Sequence, residues 1–264
     1  MSTSQKALHG KIALVSGSSS GIGAAIAEEL AARGATVIIN YPHPSEEPSA
    51  KEVLSKISNN DRAESLMVQA DLATTDGPGI LADVISVKFG KLDILVNNAG
   101  RNAFCDIATA TDAEVNKLWD DIVGVNGRGT LLLTRAVLPI LSPANSRIIN
   151  IGSISSRDPD PNLSIYAGTK GMIESFTRCW ARDFPRRYRC TVNTVAPGPV
   201  ATEKLLAAPE SYSGILREKW DRTPAAARFA KQEEVAWVVA ELCDEKASWV
   251  NGAYIPVTGG ATLS

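Results

Sequence analysis

The chain has 264 residues, of which 44% are hydrophobic and 21% charged. No run of residues reaches the roughly 18 consecutive apolar positions that a membrane span needs, so we expect a globular protein that is not inserted in a membrane. The 27 Lys and Arg against 29 Asp and Glu give a net charge of −2. This balance offers no basic surface to a polyanion and argues against a nucleic-acid partner.

The cysteines and the N-terminal segment indicate the compartment. The 4 cysteines lie far apart without a paired motif, and His9 and His43 are the 2 histidines, so we expect neither a zinc site nor a disulfide framework. Residues 1–11 are polar and lack the apolar stretch of a signal peptide, which favours a cytoplasmic location without bound metal. The cysteines are Cys105, Cys179, Cys190 and Cys243.

Short apolar runs rich in Val and Ile alternate along the chain with longer segments of helical character. This alternation is typical of repeated β–α–β units. The near-continuous hydrophobicity of the runs favours parallel strands that are covered by helices on both faces. We therefore predict a single α/β domain over residues 1–264, with a doubly wound, mainly parallel sheet. The predicted strands are residues 12–15, 36–40, 65–69, 92–97, 147–151, 191–196 and 254–257.

A glycine-rich segment, residues 16–23, follows the first predicted strand and opens a helix predicted over residues 22–33. Glycines permit unusual backbone angles, and a helix N-terminus offers N–H groups and a positive dipole end to a pyrophosphate. The segment therefore predicts nucleotide binding, although glycine turns between a strand and a helix also have purely structural uses. The candidate residues are Gly17, Ser19, Ser20, Gly21, Ile22 and Gly23.

A second chemical signal combines Tyr166, Lys170 and Ser153. Tyr166 and Lys170 share one face of a predicted buried helix, because side chains four residues apart are neighbours there. A lysine ammonium favours the phenolate, so we expect it to lower the pKa of the tyrosine from about 10 towards the range of a proton donor. Ser153 ends a predicted strand, where open α/β sheets bind their ligands. The three residues together predict acid–base catalysis.

The alternation of strands and helices breaks over residues 199–225, which carry several prolines and a glycine. We interpret this stretch as a mobile lid over the substrate, with Trp220 as a candidate aromatic cover. Residues 158–161 are expected to form a solvated turn near the substrate entrance. Trp119, Trp180 and Trp237 lie in helix-like stretches and are expected in the core or at subunit contacts.

These motifs together resemble the short-chain dehydrogenase/reductase family over residues 10–260. Residues 16–23 are similar to its T-G-x-x-x-G-I-G loop, with Ser16 in place of Thr, and residues 97–100 match its N-N-A-G motif. Ser153, Tyr166 and Lys170 reproduce its S…Y-x-x-x-K order. The resemblance implies a Rossmann-like fold and assembly as a tetramer or dimer. It also implies hydride transfer at a nicotinamide coupled to proton transfer at a carbonyl or alcohol oxygen.

The resemblance also implies roles for individual residues. Tyr166 gives a proton to the substrate oxygen, Ser153 hydrogen-bonds that oxygen, and Lys170 holds the nicotinamide ribose while lowering the pKa of Tyr166. Asn126 positions a water beside Lys170 in a proton relay. The remaining implied cofactor-binding residues are Asp71, Leu72, Asn98, Ala99, Gly100, Pro197, Gly198, Val200 and Thr202, in addition to Tyr166 and Lys170.

Cofactor choice depends on the end of the second predicted strand. Asn40 replaces the acidic residue that commonly binds the ribose 2′-hydroxyl of NAD, and the segment resembles NADPH-using members of the family. NADP(H) is therefore favoured over NAD(H), with His43 or Ser45 as contacts for the phosphate. Two features favour NAD(H) instead. Many NADP-dependent relatives carry Arg or Lys at the position of Ser20, and an acidic pair follows at residues 46–47.

The main hypothesis is an NADP-dependent ketoreductase or alcohol dehydrogenase that acts on a moderately sized, largely apolar carbonyl compound. A cyclic or aromatic ketone of secondary metabolism fits this description. One alternative is an epimerase, dehydratase or cyclase, which would form product without consuming cofactor. Another is a noncatalytic dinucleotide-binding sensor, which would bind the cofactor tightly without turnover.

Overall fold

The computed structural model describes residues 6–58, 64–207, 216–217, 221 and 223–263. Its centre is a sheet of 7 strands in the order β3-β2-β1-β4-β5-β6-β7. Every neighbouring pair of strands is parallel. The strands are β1 (Ile12–Val15), β2 (Thr36–Tyr41), β3 (Leu66–Gln69), β4 (Ile94–Asn97), β5 (Ser146–Ile151), β6 (Cys190–Pro197) and β7 (Tyr254–Val257).

Helices cover both faces of the sheet because neighbouring strand residues point to opposite sides. Ala13 and Val15 of β1 belong to one apolar layer, whereas Ile12 and Leu14 belong to the other. The helices are α1 (Gly21–Ala32), α2 (Glu47–Ser58), α3 (Gly77–Phe89), α4 (Asp112–Val123), α5 (Thr130–Val137), α6 (Ser164–Asp183), α7 (Pro185–Tyr188), α8 (Glu203–Leu206) and α9 (Gln232–Cys243).

Strand β1 pairs with both β2 and β4, so the strand order reverses there. In open α/β sheets such a reversal leaves a crevice beyond the carboxyl ends of the strands, where ligands bind. The glycine-rich segment follows β1, and Ser153 follows β5. The topology therefore brings both chemical signals of the sequence to one edge of the sheet.

The predicted doubly wound, Rossmann-like sheet of seven strands is confirmed, with small differences at element ends. The predicted strand at 92–97 begins only at Ile94, and Leu92 instead forms an isolated bridge with Leu141. Helix α1 begins at Gly21, because Ser20 has an extended backbone. Such ends depend on local backbone geometry, which an apolar pattern does not specify.

Within the described part of the chain, no helix is long and apolar enough to cross a membrane. The four cysteines are free thiols, and no group of three potential metal ligands occurs among the described residues. The predicted lid over residues 199–225 is described only in part, and Trp220 lies outside the described residues. The lid therefore stays a prediction.

Candidate active site

A cavity of about 830 Å³ opens along the carboxyl edge of the sheet. Its lining includes Ser153, Tyr166 and Lys170 together with the glycine-rich segment and the N-N-A-G segment. Among the catalytic residues and the cofactor-binding residues implied by the motifs, all of which are described, Gly21 and Asn126 do not line the cavity. A volume of this size falls within the roughly 300–1,000 Å³ that is usual for small-molecule sites.

The glycine-rich segment forms a cradle in which particular positions require glycine. Gly17 and Gly21 have φ angles of 58° and 60°, a region that favours glycine. A Cβ atom at Gly23 would lie 2.3 Å from the carbonyl oxygen of Gly17. Helix α1 has no acidic residue in its first turn, and its N-cap Ser20 makes no side-chain capping bond. The unpaired N–H groups and the positive helix end therefore fit the diphosphate of a dinucleotide.

The N-N-A-G segment after β4 holds this cradle in place. The Nδ2 of Asn98 donates to the carbonyl oxygens of Ser16 and Gly17 at 2.8 and 2.9 Å. In return, the Oγ of Ser16 accepts from the backbone N–H groups of Asn98 and Ala99, both at 3.0 Å. The hydroxyl that Ser16 shares with the threonine of the family motif therefore joins the ends of β1 and β4.

The predicted catalytic residues meet at the inner wall of the cavity. Lys170 is buried, and its Nζ donates to the carbonyl oxygen of Ile151 at 2.8 Å. The same Nζ lies 5.8 Å from the centroid of the Tyr166 ring. Ser153 hydrogen-bonds the side chain of Tyr166, and its Oγ also accepts from the backbone N–H of Ser155 at 3.1 Å. Two hydroxyl groups thus face the same part of the cavity.

Burial controls the protonation of Tyr166 and Lys170. Burial raises the pKa of Tyr166, and the hydrogen bond from Ser153 acts in the opposite direction without reversing the shift. Burial also lowers the pKa of Lys170 to about 8, because a desolvated ammonium is less stable. The expected lowering of the Tyr166 pKa by Lys170 is therefore wrong for the protein groups alone. Tyr166 remains a phenol at neutral pH and holds a proton that it can donate.

Asn126 lies behind Lys170 in a single π-helical turn, Gly124–Gly129, between α4 and α5. Its Oδ1 accepts from the backbone N–H of Arg101 at 2.8 Å. Its Nδ2 donates to the carbonyl oxygen of Arg101 and to the Oγ1 of Thr169, at 2.9 and 3.0 Å. Both amide hydrogens are therefore used to tie the segment after β4 to α6.

The cofactor prediction depends on Asn40, which lines the cavity near the end of β2. Asn40 is buried, its Oδ1 accepts from the backbone N–H of Gly17 at 3.0 Å, and its Nδ2 donates to the carbonyl oxygen of Ala70 at 2.9 Å. The side chain therefore supports the glycine cradle and places no negative charge at this part of the cavity wall. Glu46 supplies a carboxylate nearby, since it lines the cavity and accepts from the Oγ of Ser19 at 2.7 Å.

A cation also lies near the end of β2. Arg101 lines the cavity, and its Nη2 lies 3.4 Å from the Nε2 of His43. That His43 nitrogen is 4.0 Å from a carboxylate oxygen of Asp71. His43 and Ser45, the expected phosphate contacts, are not among the described residues that line the cavity. Sequence reasoning missed Arg101, because it follows the N-N-A-G motif without a recognisable pattern of its own.

The outer part of the cavity combines apolar and charged side chains. Leu163 and Leu216 are buried, whereas Phe104 is exposed. Asp158 lies at the cavity, as expected for a turn that borders the substrate entrance. Apolar and polar side chains therefore both line this part of the cavity. The other described residues of this part include Asn102, Asp160, Lys204 and Leu205.

Comparison with known proteins gives consistent matches along nearly the whole chain. The family model described as enoyl-(acyl carrier protein) reductase matches residues 17–262. The short-chain dehydrogenase/reductase FrzI of a Cladobotryum species is 38% identical over 254 residues, which cover 95% of each chain. The hydroxynaphthalene reductase arp2 of Aspergillus fumigatus is 35% identical over 269 residues, covering 96% of this chain and 95% of that protein.

A solved structure extends these similarities to the fold. The angucycline C-6 ketoreductase LanV, crystallised with bound NADP, superposes with a TM-score of 0.86 at 31% sequence identity. The match covers 98% of this chain and 98% of that chain. The relatives are named as reductases, which supports the redox hypothesis over the two alternatives.

Proposed function

Because the chain belongs to the short-chain dehydrogenase/reductase family, we propose that it is an NADPH-dependent ketoreductase. The observation that carries this proposal is the convergence of Ser153, Tyr166 and Lys170 with a glycine cradle in one cavity. A phosphate cradle alone indicates only nucleotide binding. A partly buried phenol with a serine hydroxyl beside it adds the two groups that a developing alkoxide requires.

The proposed chemistry divides the reaction between the cofactor and the side chains. When bound, the nicotinamide supplies the hydride that reduces the carbonyl carbon. Tyr166 donates its phenolic proton to the carbonyl oxygen, and Ser153 donates a hydrogen bond to the same oxygen. Lys170 in its ammonium form stabilises the phenolate that remains and contacts the ribose of the cofactor. We assign Asn126 to the positioning of a water beside Lys170, which would join a proton relay to solvent.

The preference for NADPH rests on the bound NADP of the LanV structure and on Arg101 near the end of β2. A guanidinium is well suited to a 2′-phosphate, because it is always charged and can form two parallel hydrogen bonds. Glu46 acts against this preference, since a carboxylate beside Ser19 repels a phosphate dianion. We therefore propose NADPH as the preferred cofactor and Glu46 as the residue that limits the preference.

The substrate that we propose is a moderately sized, largely apolar ketone. Leu163, Leu205 and Leu216 offer the apolar surface, and Phe104 offers an aromatic face for a planar ring. The relative named as a hydroxynaphthalene reductase supports a cyclic or aromatic substrate of secondary metabolism.

Three further features belong to this proposal. The chain forms one catalytic domain with a lid at residues 199–225. The free thiols support a reducing compartment such as the cytoplasm. The exposed Trp119 and Trp237, at 54% and 56% of their surface, support a homo-oligomer, either dimer or tetramer. Trp180, by contrast, is buried in the core, as predicted.

The experiment that tests the function is the initial rate of NADPH and, separately, NADH oxidation by the purified protein. The panel contains aliphatic, cyclic and polycyclic aromatic ketones. We expect a cyclic or aromatic ketone to be reduced, and the rate with NADPH to exceed the rate with NADH. A rate that is higher with NADH contradicts the cofactor assignment alone. Product formed without cofactor oxidation contradicts the reductase assignment.

A further inference from the structure

The catalytic serine and the catalytic tyrosine come from different elements. Ser153 follows β5 and leads into a single 3-10 turn, Ile154–Ser156, whereas Tyr166 and Lys170 belong to α6. Their hydroxyl groups can address one carbonyl oxygen only if this turn is held at a fixed distance from α6. The groups that hold the turn therefore bear on the reaction even where they do not touch the cavity.

Glu174 of α6 is the main link between the helix and the turn. It is 9% exposed, and its carboxylate accepts from the Nη2 and Nε of Arg157 at 2.8 and 3.3 Å. The Oγ of Ser156 lies 3.2 Å from the same carboxylate. Burial acts to raise the pKa of Glu174, but the hydrogen bond from Arg157 and its positive charge outweigh burial and keep the pKa low. The link is thus an ionised, charge-assisted one.

Arg157 continues the connection to β7 and back to Ser153. Its guanidinium carbon lies 3.7 Å from the centroid of the Tyr254 ring, a cation–π arrangement. The hydroxyl of Tyr254 donates to the carbonyl oxygen of Ser153 at 3.3 Å. The Oγ of Ser156 also lies 2.8 Å from this carbonyl, and its one hydrogen can go either there or to Glu174. A closed path of contacts therefore joins α6, the turn, β7 and Ser153.

We propose that Glu174 is a positioning residue that fixes Ser153 against Tyr166 through Arg157 and Tyr254. Glu174, Arg157 and Tyr254, which we call the brace, do not line the described cavity. Their effect therefore reaches the substrate only through Ser153. The inference deepens the proposed function and rests on it, since it assigns to this brace the alignment of two hydroxyl groups on one carbonyl oxygen. Ordinary helix–loop packing would predict an effect on stability alone.

The test compares Glu174→Gln with Arg178→Ala as a matched control. Arg178 binds the same carboxylate at 2.6 Å with a side chain that is 58% exposed, and none of its described contacts reaches the turn. Because a misplacement of about 1 Å can cost roughly a hundredfold in rate, we expect Glu174→Gln to lower kcat by about tenfold or more. The dissociation constant of NADPH, measured by fluorescence titration, should stay unchanged. Arg178→Ala should keep kcat within about twofold, as expected for an exposed ion pair.

Two further readouts separate positioning from a structural role. Ser153 lowers the pKa of Tyr166 by its hydrogen bond, so a displaced serine should raise the apparent pKa in the pH profile of alcohol oxidation by Glu174→Gln. A double-mutant cycle with Arg157→Met should be non-additive, because both changes break the same path. If Glu174→Gln does not fold, Tyr254→Phe tests the same path from β7 and should lower kcat in the same way.

The outcomes distinguish this inference from the proposed function. The proposed role of the brace is overturned alone if the wild-type protein reduces ketones and both Glu174→Gln and Tyr254→Phe keep its kcat and pH profile. Equal losses in Glu174→Gln and Arg178→Ala also overturn it, since the control does not touch the turn. A wild-type protein that reduces no ketone with either cofactor overturns both.

Discussion

Tyr166 keeps its proton because partial burial at the cavity wall disfavours the charged phenolate. The phenol has a raised pKa, so at neutral pH it can donate its proton to the carbonyl oxygen. We expect Tyr166→Phe to lower turnover by at least about a hundredfold, the lower range for a general acid. The binding of NADPH should be nearly unchanged, because the ring remains. Steady-state rates and a fluorescence titration measure the two quantities, and near-normal turnover would contradict the assignment.

The pKa of Lys170 is shifted in the opposite direction from that of Tyr166, and this lowered pKa predicts a fall in activity at moderately alkaline pH. Its pKa is lowered to about 8, so the ammonium is present below that pH and is lost as the pH rises through it. We expect kcat/KM for NADPH to be level below pH 8 and to fall by about tenfold per pH unit above it, as for a single essential proton. The profile is measured from pH 6 to 10 at a saturating ketone concentration. A level profile through pH 9.5 would contradict this role.

Glu46 offers a direct test of cofactor discrimination. Its carboxylate hydrogen-bonds Ser19 at the cavity wall, where a negative charge weakens the binding of a 2′-phosphate. Glu46→Gln should therefore tighten NADPH binding by about fivefold, equivalent to about 1 kcal/mol for charges in a largely aqueous setting, and leave NADH binding unchanged. Glu47→Gln is the control, because Glu47 pairs with Lys51 at 2.7 Å. An equal effect on both cofactors would remove Glu46 as the discriminating residue.

At the scale of elements, the junction of β1 and α1 depends on one missing side chain. A methyl group at Gly23 would lie 2.3 Å from the oxygen of Gly17 and 2.9 Å from the Cα of Ser18. Gly23→Ala must therefore shift the cradle, and we expect loss of NADPH binding together with a lower thermal midpoint. Gly79→Ala in α3 is the matched control, because a Cβ there meets nothing within 4 Å. Gly79→Ala should raise the free energy of unfolding by about 0.5–1 kcal/mol. Loss of NADPH binding in this control would contradict the interpretation.

The elements differ in how well the sequence predicts them. The strands and the glycine cradle follow from local patterns, since each is encoded in a few consecutive residues. Helix α6 is equally readable, because Tyr166 and Lys170 repeat at helical spacing within an apolar stretch. The brace is not readable, since Tyr254 and Ser153 are 101 positions apart and no motif pairs them. The sequence shows Glu46 as an acidic neighbour of β2, but its contact with Ser19 depends on how the 3-10 turn Pro44–Glu46 approaches the glycine cradle.

At the scale of the whole molecule, the surface contains large apolar side chains without a described partner in the core. Trp249 is 97% exposed and Trp237 56% exposed, and aromatic side chains are enriched at protein interfaces relative to the rest of the surface. We expect a solution mass of two or four times 28.0 kDa. Light scattering measures this mass, and a value of one chain across the micromolar range would contradict the proposed oligomer. Replacement of the exposed Val87, far along α3, by Ser is a control that should leave the mass unchanged.

The parts of the site are also synthesised at different times. The cradle and the Tyr166 helix belong to segments that leave the ribosome first, whereas β7, which carries Tyr254, is synthesised after every other strand of the sheet. Because domains generally fold as units, the site forms only once β7 is available to the sheet. Until then Ser153 lacks the hydroxyl of Tyr254. We therefore expect reductase activity only from chains that include β7.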